Sequence, residues 1–178
     1  MKKLIAIGAI MLSLSGMAQF TEASLQASGL TCSMCSKAIF KALEKIDFVD
    51  SIRADIKSST YRIVFKKDKQ VDFDALSKAV TDAGFSVAKL RVTGNFESAA
   101  IKNDAHVTVD GKVLHFINVK PQTLQGITTV TLLDKNFVSS KDFKKNRQYT
   151  AMKCYETGKM ERCCKVETES SRVFHATI

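Results

Sequence analysis

The chain is short of proline, and it has fewer acidic than basic side chains. Pro121 is the only proline among 178 residues, so no proline shapes a turn or kink in any segment before it. No segment repeats and none is of low complexity. Beyond residue 18 no uncharged apolar run approaches the roughly 20 residues of a membrane-spanning helix, which argues against stable membrane insertion. No Ser/His/Asp set and no acid–base pair of catalytic spacing stands out, so the chain does not read as an enzyme. Only 18 Asp and Glu face 27 Lys and Arg, a formal net charge of +9. That excess favours anionic surfaces or an acidic partner face. The basic residues are nevertheless scattered rather than striped, which does not make a nucleic-acid footprint.

The N-terminus sets the compartment. Met1-Lys2-Lys3 is basic, Leu4 to Leu14 carries no charge, and Gly16 and Ala18 put small residues at the −3 and −1 positions of a cleavage site. This is the pattern of a secretory signal peptide over residues 1–18. The apolar run is short for a membrane span, and no Cys follows Gly16 to accept a lipid. The expectation is an exported, periplasmic protein cleaved near Ala18. Loss of Lys2 and Lys3 leaves 25 basic against 18 acidic side chains, or +7.

Gly29-Leu30-Thr31-Cys32-Ser33-Met34-Cys35 carries the most information. Ser24 to Ala27 reads as a strand, and Ile39, Leu43 and Ile46 form the apolar stripe of a helix beginning near Ser36. The thiols therefore stand at a helix start, where unpaired N–H groups and the positive dipole end favour anionic groups such as thiolate. A Cys-x-x-Cys pair there can hold a soft cation or act as a redox couple. Downstream, Val49 to Ile56 and Tyr61 to Lys66 alternate apolar with polar around a Lys57-Ser58-Ser59-Thr60 turn. Phe73, Leu76, Val80 and Ala83 mark a second helix that ends at Gly84, and Phe85 to Leu90 reads as a last strand. The order is βαββαβ, the split-βαβ ferredoxin-like motif.

With the thiol pair on its first β–α loop, residues 24–91 resemble the heavy-metal-associated domain of copper chaperones, periplasmic mercury carriers and metal-pumping ATPases. Gly29, Thr31, Cys32 and Cys35 match the family's Gly-Met-Thr-Cys-x-x-Cys loop, and Ala83-Gly84-Phe85 matches its Ala-Gly-aromatic element. The resemblance implies metal ligation by Cys32 and Cys35, with Phe85 packed beneath the loop. The family's Met before the first Cys is Leu30 here, which still serves as a hydrophobic plug. Two thiolates give near-linear ligation, which suits Cu(I) and equally Hg(II), and serves four-coordinate Zn(II) poorly. The partners implied are a metal-donating or metal-accepting protein or a metal transporter. The competing reading is a thiol-disulfide oxidoreductase. Against it, one helix separates the motif from an antiparallel hairpin, and no proline lies between the thiols or within the domain.

The remaining residues, 95–178, follow a break expected at Thr93-Gly94-Asn95 and resemble no family. Strands are expected at 106–109, 113–119, 127–133, 150–155, 164–168 and 173–177, with a helix over 140–147. That mixture makes the chain α+β and suits a small β-rich, OB-like barrel. Asp110-Gly111 is a type I′ hairpin signal that sets His106 opposite His115 as a close pair. The pair reads either as packed strand residues or as part of a second metal site, which needs more ligands than the hairpin supplies. Gly158-Lys159 fits a type II′ turn, which sets Cys154 opposite Cys163; a slip of one residue sets it opposite Cys164. In an oxidising compartment that predicts a disulfide. The alternative is a soft-metal site built on the same cysteines with Met152 and Met160.

Overall fold

The computed structural model describes residues 19–30, 32–161 and 171–178. The first half folds as its periodicity dictates. Strand β1 (Phe20–Ser28) buries Phe20, Ala23, Leu25 and Ala27, and helix α1 (Ser33–Glu44) buries Ser36, Ile39 and Leu43. Strands β2 (Val49–Asp55) and β3 (Thr60–Phe65) form the hairpin. Helix α2 (Phe73–Asp82) begins where the Asp72 carboxylate accepts hydrogen bonds from the backbone N–H groups of Asp74 and Ala75, satisfying donors that have no partner inside the helix. It ends in a Schellman turn: Gly84, at φ +89°, donates to Thr81 O, and Phe85 N donates to Val80 O.

Strand β4 does not stop where the sequence suggested. It runs from Ser86 to Ile101, 16 residues, so the break expected at residues 93–95 lies inside a strand. Its first part pairs with β1, and its opposite edge pairs with β7 (Gln122–Leu132) from Leu90 to Ile101, with a bulge between Phe96 and Ala99. Val92, Gly94 and Phe96 keep the inward alternation across the expected break. Gly94 is there for close approach. A Cβ at this position would lie 2.9 Å from Phe20 Cδ1 and 3.3 Å from Gln19 O, so the glycine admits the Phe20 ring rather than loosening the chain.

Strands β5 (Ala105–Val109), β6 (Lys112–Phe116) and β8 (Val173–Thr177) complete one sheet in the order β2-β3-β1-β4-β7-β8-β6-β5. Among the described residues this sheet is open, with β2 and β5 at its ends, where a closed OB-like barrel was expected for residues 95–178. The two halves also share a core. Phe73 on α2 meets Phe20 edge-on at 4.9 Å and Phe174 of β8 at 5.1 Å, geometries that aromatic rings favour.

The helix expected over 140–147 is α3 (Ser140–Asn146), capped by Ser139. The strand expected over 150–155 is instead an irregular segment leading into the single helical turn α4 (Cys154–Thr157), closed by Gly158 in the left-handed region. A strand would send Cys154 and Tyr155 to opposite faces, whereas the turn buries both. Tyr155 stacks on Phe143, and its hydroxyl hydrogen-bonds Phe143 O at 2.9 Å and lies 3.3 Å from Leu133 O. The strand expected over 164–168 lies outside the described residues.

Arg172 clamps these parts together. Its guanidinium grips Asp74 of α2 with two bonds of 2.8 and 3.1 Å, donates to Asp134 at 2.9 Å, also reaches Val173 O, and lies over the Phe174 ring. Burial alone would raise the Asp134 carboxyl. The hydrogen bond and charge of His175, together with Arg172, outweigh it and hold the group below the ordinary carboxylate range. Arg172→Met should therefore cost about 3 kcal/mol in urea unfolding, because it leaves a buried carboxylate short of its cation. A carboxyl whose folded pKa is depressed stabilises the fold above its unfolded pKa. Wild-type stability should thus fall as pH drops below about 4, and less steeply in Arg172→Met. Gly94→Ala should cost about 1–3 kcal/mol through overpacking against Phe20, read in the same experiment.

Candidate metal centre

The loop between β1 and α1 is shaped by Gly29, whose φ of +84° turns the chain where a side chain would be strained. Phe85 lies beside it: a Cβ on Gly29 would sit 3.9 Å from Phe85 Cδ1. Leu30 is half-buried against the main core, the plug position expected of it. Thr31 lies outside the described residues. Cys32 is the extended N-cap residue of α1, and Cys35 is in its first turn, three residues on and so on the same face. Cys32 is exposed and Cys35 half-buried, with the two Sγ atoms 3.1 Å apart. The first turn carries no acidic residue, so no carboxylate competes with a thiolate for the helix dipole.

Immediately below the thiols, Ser36 is pinned to the sheet. Its buried hydroxyl lies 2.9 Å from the Tyr61 hydroxyl of β3, which also donates to Ser36 O at 3.2 Å. The mouth is open, since Met34 between the thiols is 71% exposed. Among the described residues, no His, Asp or Glu joins Cys32 and Cys35 in a group of three donors. Two sulfurs at about 2.3 Å from one ion stand at most about 4.6 Å apart, so near-linear ligation asks the pair to open by roughly 1.5 Å. A change of χ1 rotamer at exposed Cys32 supplies that.

The hairpin of β5 and β6 has the predicted register. Asp110 and Gly111 take φ values of 50° and 69°, Val109 faces Lys112, and His106 faces His115. The two imidazoles stack at 4.3 Å with 13° between planes. His115 is fully buried; its Nε2 bonds Asp104 at 3.1 Å and its Nδ1 lies 3.5 Å from Cys154 Sγ. Burial, then the charges of His175 and His106, push His115 down to about 4, against the opposing Asp104 carboxylate. Burial also lowers His106.

His175 was not singled out by the sequence. Strand β8 runs parallel to β6 and sets His175 opposite His115, so all three histidines cross adjacent strands. The only sequence signal was that each falls on a strand-like run of the C-terminal half. The cross-strand geometry predicted for Cys154 does not occur, because Cys154 opens helix α4, and Gly158 has the φ/ψ of a helix-ending left-handed residue (67°, 16°) instead of a type II′ turn. Lys159 bridges Arg172 instead. Cys163 and Cys164 lie outside the described residues.

Residues 24–86 match the family model described as the heavy-metal-associated domain. The chain is 30% identical over 66 residues to the Archaeoglobus fulgidus protein named "Probable copper-exporting P-type ATPase", a match covering 37% of this chain and 8% of that protein. It is 28% identical over 68 residues to copper chaperone CopZ of Bacillus subtilis, covering 38% of this chain and 97% of the chaperone. Among solved structures, a CopZ metallochaperone is 25% identical, with a TM-score of 0.35, over 38% of this chain and 100% of its own.

Tyr61→Phe removes the donor to Ser36 O beneath the thiol loop. It should lower stability by about 1 kcal/mol, read as a reduced urea midpoint.

Proposed function

We propose that this protein, through the heavy-metal-associated domain at residues 24–86, captures Cu(I) between Cys32 and Cys35 and hands it on by thiolate exchange. The observation that carries this reading is the pair itself: two sulfurs 3.1 Å apart at an open helix start, with no third His, Asp or Glu donor among the described residues. Two soft ligands and no more suit a soft monovalent ion. That the matched relatives are named for copper supports the choice of metal.

The difference in exposure between the thiols orders the exchange. An incoming partner thiolate forms a bond to Cu(I), the bond to exposed Cys32 breaks, and the released thiolate takes up a proton from water. Half-buried Cys35 holds the ion until the second exchange. Copper stays monovalent throughout, and nothing is oxidised or reduced. The partner is a protein that presents its own thiolates, either a metal donor or acceptor or a domain of a transporter. The N-terminal signal pattern supports export to the periplasm. The scheme contains no chemical turnover, and the protein acts as a carrier rather than an enzyme.

The reduced protein should bind Cu(I) at this pair in competition with a soluble chelator, and Cys32→Ser with Cys35→Ser should remove that equivalent. Full retention of Cu(I) by the double variant would sink the reading. Preference for Hg(II) over Cu(I) in the same competition would make the protein a mercury scavenger. Cys32-dependent reduction of insulin disulfides would make it an oxidoreductase.

A further inference from the structure

We propose that His106, His115 and Cys154 form a second site for Cu(I), buried within the C-terminal half and separate from the thiol loop. The hairpin supplies two imidazoles, and α4 supplies the further ligand that the hairpin lacks. One potential donor atom from each of the three lies within 4.8 Å of the others. Donors bound at about 2.0–2.3 Å stand roughly 3.3–4 Å apart, so the side chains need to close by about 1 Å.

The surroundings orient these residues as ligands. Asp104 holds Nε2 of His115 at 3.1 Å, which leaves Nδ1 facing Cys154 Sγ at 3.5 Å. A carboxylate on one imidazole nitrogen fixes the ring so that the other can ligate. Nε2 of His106 is buried and has no hydrogen-bond partner among the described residues, although buried polar atoms are almost always paired. The same is true of Nε2 of His175, a fully buried residue whose ring meets His115 edge-on at 5.0 Å and whose Nδ1 is held by Asp134 at 3.0 Å. A core built for packing alone would fill this space with phenylalanine and leave no nitrogen unpaired.

Donor number and softness select the ion. The cluster offers three donors, whereas Zn(II) prefers four. The surroundings of Cys154 are apolar, made of buried Met160 and Val173 with Val113 and Met152 packed against it. Mixed imidazole and soft sulfur donation suits copper.

The test uses the full chain carrying Cys32→Ser and Cys35→Ser, which removes the loop site whatever that site binds. Titrated with Cu(I) against a chelator, this variant should take up one equivalent, and X-ray absorption should show nitrogen and sulfur neighbours together. Adding His106→Gln, at a half-buried strand position, should abolish that equivalent while the far-UV circular dichroism is unchanged. Asp104→Asn, which keeps every ligand, should weaken it about 10-fold or more. No uptake by the double-serine variant, full uptake after His106→Gln, or a copper environment of sulfur alone would each overturn the proposal. The sulfur-only outcome can be read even if His106→Gln misfolds, because it needs no histidine variant.

Discussion

Strand β4 finds hydrogen-bond partners on both of its edges over part of its 16 residues, and the rest of the molecule is arranged around that pairing. On one side β1 covers Ser86 to Gly94, and on the other β7 covers Leu90 to Ile101. A six-element βαββαβ unit that ended with β4 would leave this second edge open to solvent and to other chains. Here it is the seam along which the C-terminal strands are added. The halves thereby share one sheet, one aromatic core around Phe73, and the Arg172 clamp to Asp74 and Asp134.

As proposed metal sites, the thiol pair and the histidine cluster would be opposite solutions. The thiols stand at a helix start with an open mouth, where a partner could reach a bound ion and exchange ligands. The cluster lies under α4 and between strands, and its imidazoles are oriented by Asp104 and Asp134. Accessible, sparse ligation favours release, whereas buried, fully supported ligation favours retention. Arg172 and His175 converge on the same Asp134 carboxylate, so the clamp that joins the halves also braces the residues beside the cluster. Disturbing that carboxylate is expected to reach both.

Much of the first half was legible in the sequence because its signals are local. The Cys-x-x-Cys spacing, the helix stop at Gly84 and the period-2 strands each act over a few residues, and each has its expected place in the structure. The Asp110-Gly111 turn did the same for the hairpin, fixing His106 opposite His115. The errors also had local causes. Gly94 resembled a linker, but its missing side chain makes room for Phe20, a contact about 70 residues away in sequence. The segment around Cys154 alternated like a strand, but Tyr155 reaches backbone carbonyls and Phe143 only from a helical turn.

What the sequence determined by itself was the thiol loop, the βαββαβ order and the register of one hairpin, because turn chemistry and periodicity act through neighbours in the chain. Tertiary structure alone decided that β4 continues into a shared sheet, that β8 returns parallel to β6, and that Cys154 closes on His115. These depend on pairings between distant segments, whose energy lies in backbone hydrogen bonds and buried area that no short window of sequence contains. A parallel neighbour such as β8 has no tight turn to announce it, and so His175 came to the cluster unannounced.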